Sequence, residues 1–106
     1  MRPATWGVIR QFGPVAMINR FDTTDAALQE ANRPAFGLAS YAFTTSSETV
    51  TRLPNEVRAG MLTINHLGLA LPEVPFGGIG DSGIGTEGGS NAIEAYLDTR
   101  FVSRMD

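Results

Sequence analysis

The residues of this 106-residue chain that could take part in chemistry are few, and most of them lie in one segment. Seven of the twelve glycines fall between Gly77 and Gly89, and this glycine-rich loop (residues 77–89) also contains the carboxylate of Glu87. There is no cysteine, which excludes a thiol nucleophile, a disulfide and a thiolate metal site. The single histidine, His66, argues against a histidine-based metal site or a serine triad. We therefore expect no bound metal.

The glycine-rich loop contains two matches to G-x-G-x-x-G, at Gly78–Gly83 and Gly83–Gly88. In dinucleotide-binding proteins this pattern follows a strand and opens a helix whose start meets the pyrophosphate. Here Pro75 interrupts the preceding segment, and the glycines continue too far for a helix to begin inside either match. A Walker loop is excluded because no Gly-Lys-Ser/Thr occurs. Such a density of glycine instead favours positive φ angles and close approach to another backbone or a ligand.

The elements that must position these residues alternate between strand and helix patterns. Short oxygen side chains at Asp22–Asp25 predict a helix start, and Pro34 ends that helix. Thr45–Glu48 has the spacing of a capping box and predicts a second helix, which must kink or end early at Pro54. We expect strands at Val15–Phe21, Gly37–Thr44, Met61–Asn65 and Thr99–Met105, an irregular segment at about His66–Gly89, and a last helix at about Ser90–Leu97 with Ile93, Tyr96 and Leu97 on its buried side.

This alternation is typical of an α/β fold, with a parallel-type sheet and crossover helices. Both faces of a parallel sheet must be covered, and the chain has too few helices to do so. We therefore expect it to associate with itself, as a dimer or higher homo-oligomer, or with a missing N-terminal portion.

Composition narrows the remaining classes of partner. The net charge is −3 and the isoelectric point about 5.0, and the eight basic residues are scattered, so a nucleic acid is not an expected partner. No apolar run approaches the length that spans a membrane, and Met1–Pro3 leads into no signal-peptide core. The expected location is the cytoplasm, with no membrane partner.

Several residue groups, in their order and spacing, resemble the NAD(P)-dependent aldehyde dehydrogenase superfamily. They are Phe12–Val15, Asn32–Arg33, Phe36–Ala39, Gly60–Met61, Ile64–Asn65, Pro75–Gly78 and Ser82–Gly88. The run from Asn65 to Thr99 most resembles the succinate-semialdehyde dehydrogenase-like branch. The resemblance implies part of a three-layer catalytic-domain fold. In it, residues 1–98 would form the C-terminal part of the catalytic domain, and residues 99–106 a C-terminal oligomerisation strand that adds to a neighbouring subunit's sheet.

The superfamily oxidises aldehydes with a cysteine thiolate, passes hydride to NAD or NADP, and hydrolyses the thioester with a glutamate-activated water. In the family that cysteine, that glutamate and the dinucleotide-binding domain all precede the segments matched by this chain. The resemblance therefore implies the C-terminal portion of an aldehyde dehydrogenase, with succinate semialdehyde as one candidate substrate. Without a thiolate we expect the chain to be inactive alone and to bind neither NAD nor NADP by itself.

The resemblance also assigns candidate site residues. Phe12 matches a phenylalanine near the nicotinamide ribose, and Phe76 matches an aromatic that lines the aldehyde tunnel. Asn65 and Ala70 are placed on the substrate side, and Glu87 matches a glutamate of a proton relay. Structural alternatives stay open: core or loop packing for the two phenylalanines, a side-chain bond to the following loop for Asn65, and a solvated carboxylate for Glu87.

One departure from the family affects the cofactor contact. Arg10 stands where relatives have a glutamate that accepts hydrogen bonds from the nicotinamide ribose, and a guanidinium only donates. Two other functions remain open beside the truncated dehydrogenase. One is an interaction module that associates with itself or with dehydrogenase subunits, and the other is a small nucleotide-binding protein that uses the glycine-rich loop.

Overall fold

The computed structural model describes residues 13–14 and 16–106 of the chain. Arg10 and Phe12, and with Phe12 the expected nicotinamide contact, lie outside the described residues. The elements follow in the order α1 (Thr24–Ala31), β1 (Phe36–Gly37), β2 (Ala39–Ala42), α2 (Ser47–Glu56), β3 (Met61–Ile64), β4 (Ile79–Gly80) and a 3-10 helix (Ser90–Tyr96).

Helix α1 begins and ends where its sequence predicts. The Thr23 hydroxyl caps the helix by accepting a hydrogen bond, at 3.2 Å, from the backbone amide three residues further on. That amide would otherwise lack a partner at the helix start. The helix ends at Ala31, three residues before Pro34. Leu28, which is only 7% exposed, anchors its inner face.

Helix α2 begins one residue later than predicted by the capping box that starts at Thr45. The capping residue is Ser46 and not Thr45, because Ser46 keeps extended backbone angles and its hydroxyl accepts the amide of Thr49 at 3.2 Å. Adjacent hydroxyls are nearly equivalent as caps, so spacing alone could not choose between them. The helix continues two residues beyond Pro54, to Glu56.

The sheet consists of two separate pairs of strands. Strands β2 and β3 run parallel with Ala39 opposite Met61 and Ala42 opposite Ile64, and α2 is the crossover that connects them. This confirms the expected parallel pairing and crossover. The predicted strand from residue 37 to residue 44 is interrupted at Leu38, because the preceding β1 pairs antiparallel with β4.

Other expectations for the two ends of the described chain are wrong or stay open. Residues 16–21 form no strand, although the sequence predicted one at Val15–Phe21. Residues 99–105 form no ladder within the described chain, so the oligomerisation strand stays a prediction. The last helix is a 3-10 helix, and the side chains expected on its buried side are exposed: Ile93 60%, Tyr96 87% and Leu97 64%.

The core is small and lies against the β2–β3 pair. Its buried residues are Leu28 from α1, Leu53 from α2, and Met61 and Thr63 from β3, each at most 7% exposed. Among the described residues, no helix combines the length and apolar character needed to cross a lipid bilayer. The glycine-rich loop and the ends of β2 and β3 are therefore supported by a core with few buried side chains.

Candidate functional site

The glycine-rich loop depends on backbone conformations that glycine allows. Gly80, Gly83 and Gly85 have φ angles of 57°, 142° and 79°. A side chain on Gly77 would place its Cβ 2.6 Å from the Gly85 carbonyl oxygen. The expected positive φ angles and close backbone approach are thus confirmed. No helix begins anywhere within residues 77–89, all of which are described, so neither glycine pattern has the helix start that pyrophosphate binding requires.

Ser82, to which the sequence assigned no individual role, attaches this loop to the fold. The Ser82 hydroxyl oxygen accepts a hydrogen bond from the Gly37 amide at 2.9 Å. One residue earlier, the Asp81 amide donates to the Ala35 carbonyl at 3.0 Å. Serine among glycines is a common turn residue, which was the available signal. The two bonds hold the loop against the start of β1.

Phe76 and Glu87, both predicted site residues, are brought together across the loop. The Phe76 amide donates to the Glu87 carbonyl at 2.6 Å, and the Glu87 amide donates back at 2.8 Å. Phe76 is half-buried, whereas Glu87 is exposed. Both line an open groove of about 380 Å³, whose wall also includes Leu38, Ser82, Thr86 and Ala95.

Asn65 lies at a different place, the carboxyl end of β3. A side-chain bond from Asn65 to the following loop was one alternative from the sequence. The side chain instead bonds to the backbone of Thr44, just beyond the end of the neighbouring strand β2. The Thr44 amide donates to Oδ1 at 2.8 Å, and Nδ2 donates to the Thr44 carbonyl at 3.0 Å. Together with Phe43 and Thr45, these two residues line an open depression at the edge of the sheet.

Ala70 lies between Asn65 and Phe76 in the sequence. It is exposed in the irregular segment that connects β3 to the glycine-rich loop. It lines neither the Phe76 groove nor the Asn65 depression. The structure therefore unites Phe76 with Glu87, while Asn65 and Ala70 stand apart from them. The chemical roles of all four residues remain predictions.

The charged groups with shifted pKa values lie on α1 and α2 or just beyond the end of α1. Arg52 bonds to Glu56 on its own helix and to Asp25 on α1, and its hydrogen bond lowers the pKa of Glu56. Arg33 likewise lowers the pKa of Glu30 through a hydrogen bond. The Arg52–Asp25 pair joins α2 to α1, and the Arg33–Glu30 pair lies at the end of α1. Among the described residues there is no cluster of three histidine or carboxylate groups that could hold a metal ion.

Comparison with known proteins assigns the chain to a family. The family model described as "Aldehyde dehydrogenase family" matches residues 10–102. This chain belongs to the aldehyde dehydrogenase family. The match includes the glycine-rich loop, Phe76 and Asn65, so every described candidate residue lies inside the matched region.

Individual relatives of this aldehyde dehydrogenase chain show how much of an enzyme it corresponds to. It is 44% identical over 91 residues to 4-(hydroxymethyl)benzenesulfonate dehydrogenase TsaD1 of Comamonas testosteroni, covering 86% of this chain and 19% of the relative. It is 45% identical over 92 residues to succinate semialdehyde dehydrogenase of Acinetobacter baylyi, with the same coverage. The chain thus spans about a fifth of the length of these curated relatives.

A solved structure bears out the fold. The NAD⁺ complex of an aldehyde dehydrogenase from Bacillus cereus superposes with a TM-score of 0.78 and 38% identity, covering 82% of this chain and 18% of that one. The chain is therefore a small α/β part of the aldehyde dehydrogenase fold, from a family that uses NAD(P)⁺. The two relatives, nearly equal in identity, are named for different substrates, so identity does not single out the succinate-semialdehyde branch.

Proposed function

We propose that this chain supplies one wall of the aldehyde site of an NAD(P)-dependent aldehyde dehydrogenase, and that a polypeptide carrying the nucleophile and the dinucleotide-binding unit completes the enzyme. The observation that carries this proposal is the family match over residues 10–102 in a sequence without cysteine. The family's chemistry needs a thiolate, and a hydroxyl would need its own activating base. By itself, the chain is proposed to have no turnover.

The geometry of the glycine-rich loop supports a role as a wall. Phe76 is held by two backbone bonds to Glu87, and the loop is attached to β1 through Ser82. An aromatic on a backbone fixed at both ends can present apolar surface without reorganising, and apolar walls exclude water from a reacting carbonyl. Glu87 stands beside Phe76 with an exposed carboxylate, and we propose that it can exchange protons with solvent at this wall.

We propose that the chain has no dinucleotide site of its own, which is supported by the lack of a helix start within residues 77–89. We therefore assign NAD(P) to the completing polypeptide and derive no step from contacts of the coenzyme with this chain. When bound there, the coenzyme accepts hydride from the substrate. What this chain contributes is shape and exclusion of water on the opposite side.

We propose an aldehyde that carries an acidic group, such as succinate semialdehyde, as the substrate of the completed enzyme. Support comes from the names of the two relatives, one for a sulfonate and the other for a carboxylate-bearing semialdehyde. This chain has no lysine, and both Arg33 and Arg52 are paired with carboxylates. We propose that the cation that recognises the acidic group lies in the completing polypeptide.

Fragment complementation tests the proposed function. The Comamonas relative would be produced without the fifth of its sequence that this chain matches, mixed with the 106-residue chain, and assayed for aldehyde-dependent NADH formation. We expect NADH from the mixture and none from either part. Phe76→Glu should abolish the activity by placing a charge in the wall, while Ile18→Glu, at a position 94% exposed, should retain it. NADH formation by the 106-residue chain alone would refute the proposal.

A second candidate function is an association module without catalysis, and the tail of the chain favours it. Phe101, Val102 and Met105 are 91%, 76% and 96% exposed in a segment without regular secondary structure. If this segment becomes a strand, its unpaired backbone groups can pair with another sheet. We propose a homo-oligomer, a dimer or higher, formed through residues 99–106. Sedimentation velocity should show the oligomer and its loss in Phe101→Asp, whereas a wild-type monomer at high concentration would argue against it.

A further inference from the structure

The chain leaves strand β3 through an unusual backbone conformation at Asn65. Its φ of +63° is the left-handed conformation, and Asn65 is the sole residue other than glycine to adopt a positive φ in the described part of the chain. Asparagine tolerates this region better than most residues. The turn moves the chain out of the sheet after the Asn65 amide, which is the last main-chain donor of this segment to β2.

The parallel ladder nevertheless continues by one step, through a side chain. Alternate residues of the β2 side direct their carbonyls to β3: Leu38 accepts from the Met61 amide at 3.0 Å, and Ala42 accepts from the Asn65 amide at 2.8 Å. The next residue in this alternation is Thr44. Both its amide and its carbonyl are met by the carboxamide of Asn65.

The carboxamide occupies the places of two main-chain groups. In a continued parallel strand, the Thr44 amide would donate to the carbonyl of residue 65, and the Thr44 carbonyl would accept from the amide of residue 67. Oδ1 and Nδ2 take these two positions, at 2.8 Å and 3.0 Å. The side chain therefore replaces a peptide unit, and the main chain is free to leave.

The segment that follows Asn65 is held by hydrogen bonds directly after the turn. The Thr63 hydroxyl donates to the His66 carbonyl at 2.7 Å, and the Gly68 amide donates to His66 Nδ1 at 3.2 Å. The segment thus leaves from the carboxyl edge of the parallel pair, the edge at which open α/β sheets place their ligands. It carries Ala70 before it reaches Phe76.

We propose that Asn65 is a positioning residue whose carboxamide serves as a peptide surrogate. It ends the parallel ladder at Thr44 and thereby fixes where residues 66–71, including Ala70, leave the carboxyl edge of the sheet. We call the two hydrogen bonds between the Asn65 carboxamide and the Thr44 backbone the clasp. Its existence does not depend on the proposed function. Its importance for the aldehyde site rests on that function, because the segment would border the substrate side.

Amide hydrogen exchange of the 106-residue chain, followed by NMR, tests the clasp. In the wild type, the Thr44 amide should be protected like the ladder amides of β3. Asn65→Gly retains the left-handed turn but removes the carboxamide, so Thr44 exchange should accelerate on the order of tenfold, and the resonances of residues 66–71 should shift. Asn65→Asp retains an acceptor for the Thr44 amide but no donor for its carbonyl, so intermediate protection is expected.

Asn32 provides a matched control. Its carboxamide also bridges two backbone groups, accepting from the Arg58 amide and donating to the Glu56 carbonyl, both at 2.7 Å. Asn32→Ala should destabilise the fold generally but leave the relative protection of Thr44 and the pattern of residues 66–71 unchanged. Equal effects of the two variants on Thr44 would overturn the proposal. An unprotected Thr44 amide in the wild type would also overturn it, and this outcome needs no folded Asn65 variant.

A kinetic readout separates positioning from plain stability. In the complemented enzyme, Asn65→Gly should raise KM for the aldehyde several-fold with little change in kcat, as for lost binding geometry. Asn32→Ala should change neither constant. Equal kinetic effects of the two variants would leave the clasp intact but refute its positioning role. If complementation yields no activity at all, the proposed function fails, and the exchange experiment still decides the clasp.

Discussion

Gly60 occupies the closest backbone approach between the strands and the glycine-rich loop, and Gly60→Ala is the sharpest test of that contact. The added Cβ would overlap the Gly77 carbonyl oxygen and lie 2.9 Å from the Gly77 carbonyl carbon and 3.0 Å from the Gly78 Cα. All three are backbone atoms, so no rotamer change can relieve the overlap. The loop or the start of β3 must therefore move.

The expected cost lies at the upper end of that for overpacked sites, about 2–3 kcal/mol. For a domain of this size, that corresponds to a fall in Tm of about 10–20 °C. Urea and thermal unfolding followed by circular dichroism would measure both. The matched control is Gly68→Ala, whose Cβ would meet nothing nearer than His66 Nδ1, at 3.5 Å, and which should change stability by less than about 1 kcal/mol.

Equal stabilities of the two alanine variants would refute the reasoning. Such a result would mean that residues 60 and 77 do not approach each other in solution as they do in the structure. The attachment of the Phe76 groove to the sheet would then depend on the β1–β4 pairing and on the bonds of Asp81 and Ser82.

Two further predictions concern the helices. Leu53→Ala should lower the free energy of unfolding by about 2–3 kcal/mol, because the side chain is 7% exposed and its loss leaves a cavity; the same change at Leu67, 71% exposed, should cost less than about 0.5 kcal/mol in urea unfolding. Arg52→Met removes the group that lowers the pKa of Glu56 below its ordinary 4.5. A carboxylate with a lowered pKa stabilises the fold above that ordinary value and loses its contribution as the pH falls through the folded-state pKa. Acid unfolding below about pH 4.5 should therefore be less steep in Arg52→Met than in wild type or in the surface control Arg104→Met, and identical slopes would contradict the assignment.

Local chemistry explains why the helices and the parallel crossover could be predicted. The Thr23 hydroxyl caps α1, and Pro34 stands three residues beyond its end, so both limits are determined by residues adjacent in sequence. The shift from Thr45 to Ser46 at α2 shows the resolution of this reasoning, since it cannot choose between neighbouring hydroxyls. The glycine-rich loop was recognisable for the same reason, because positive φ is a property of single residues.

The pairings between distant segments were not determined locally. Tertiary structure alone places Phe76 opposite Glu87, Ser82 on the Gly37 amide, and the Asn65 carboxamide on Thr44, 21 residues earlier in the chain. Each depends on a partner whose position results from the path of the whole chain. A side chain such as that of Asn65 has several partners within its reach, and its sequence neighbours suggested the following loop.

The burial of apolar side chains, like the pairing of distant segments, depended on the tertiary structure. The apolar residues Ile93, Tyr96 and Leu97, and those of residues 16–21, indicated apolar surfaces but not what would cover them. In the described chain these surfaces are largely open. Helix limits, the glycine-rich loop, the family resemblance and the absence of a thiol nucleophile could be read from the residues alone. Only the tertiary structure decided which backbone groups meet and which apolar surfaces stay exposed, because a hydrogen bond or a buried contact requires two partners and a sequence pattern specifies one.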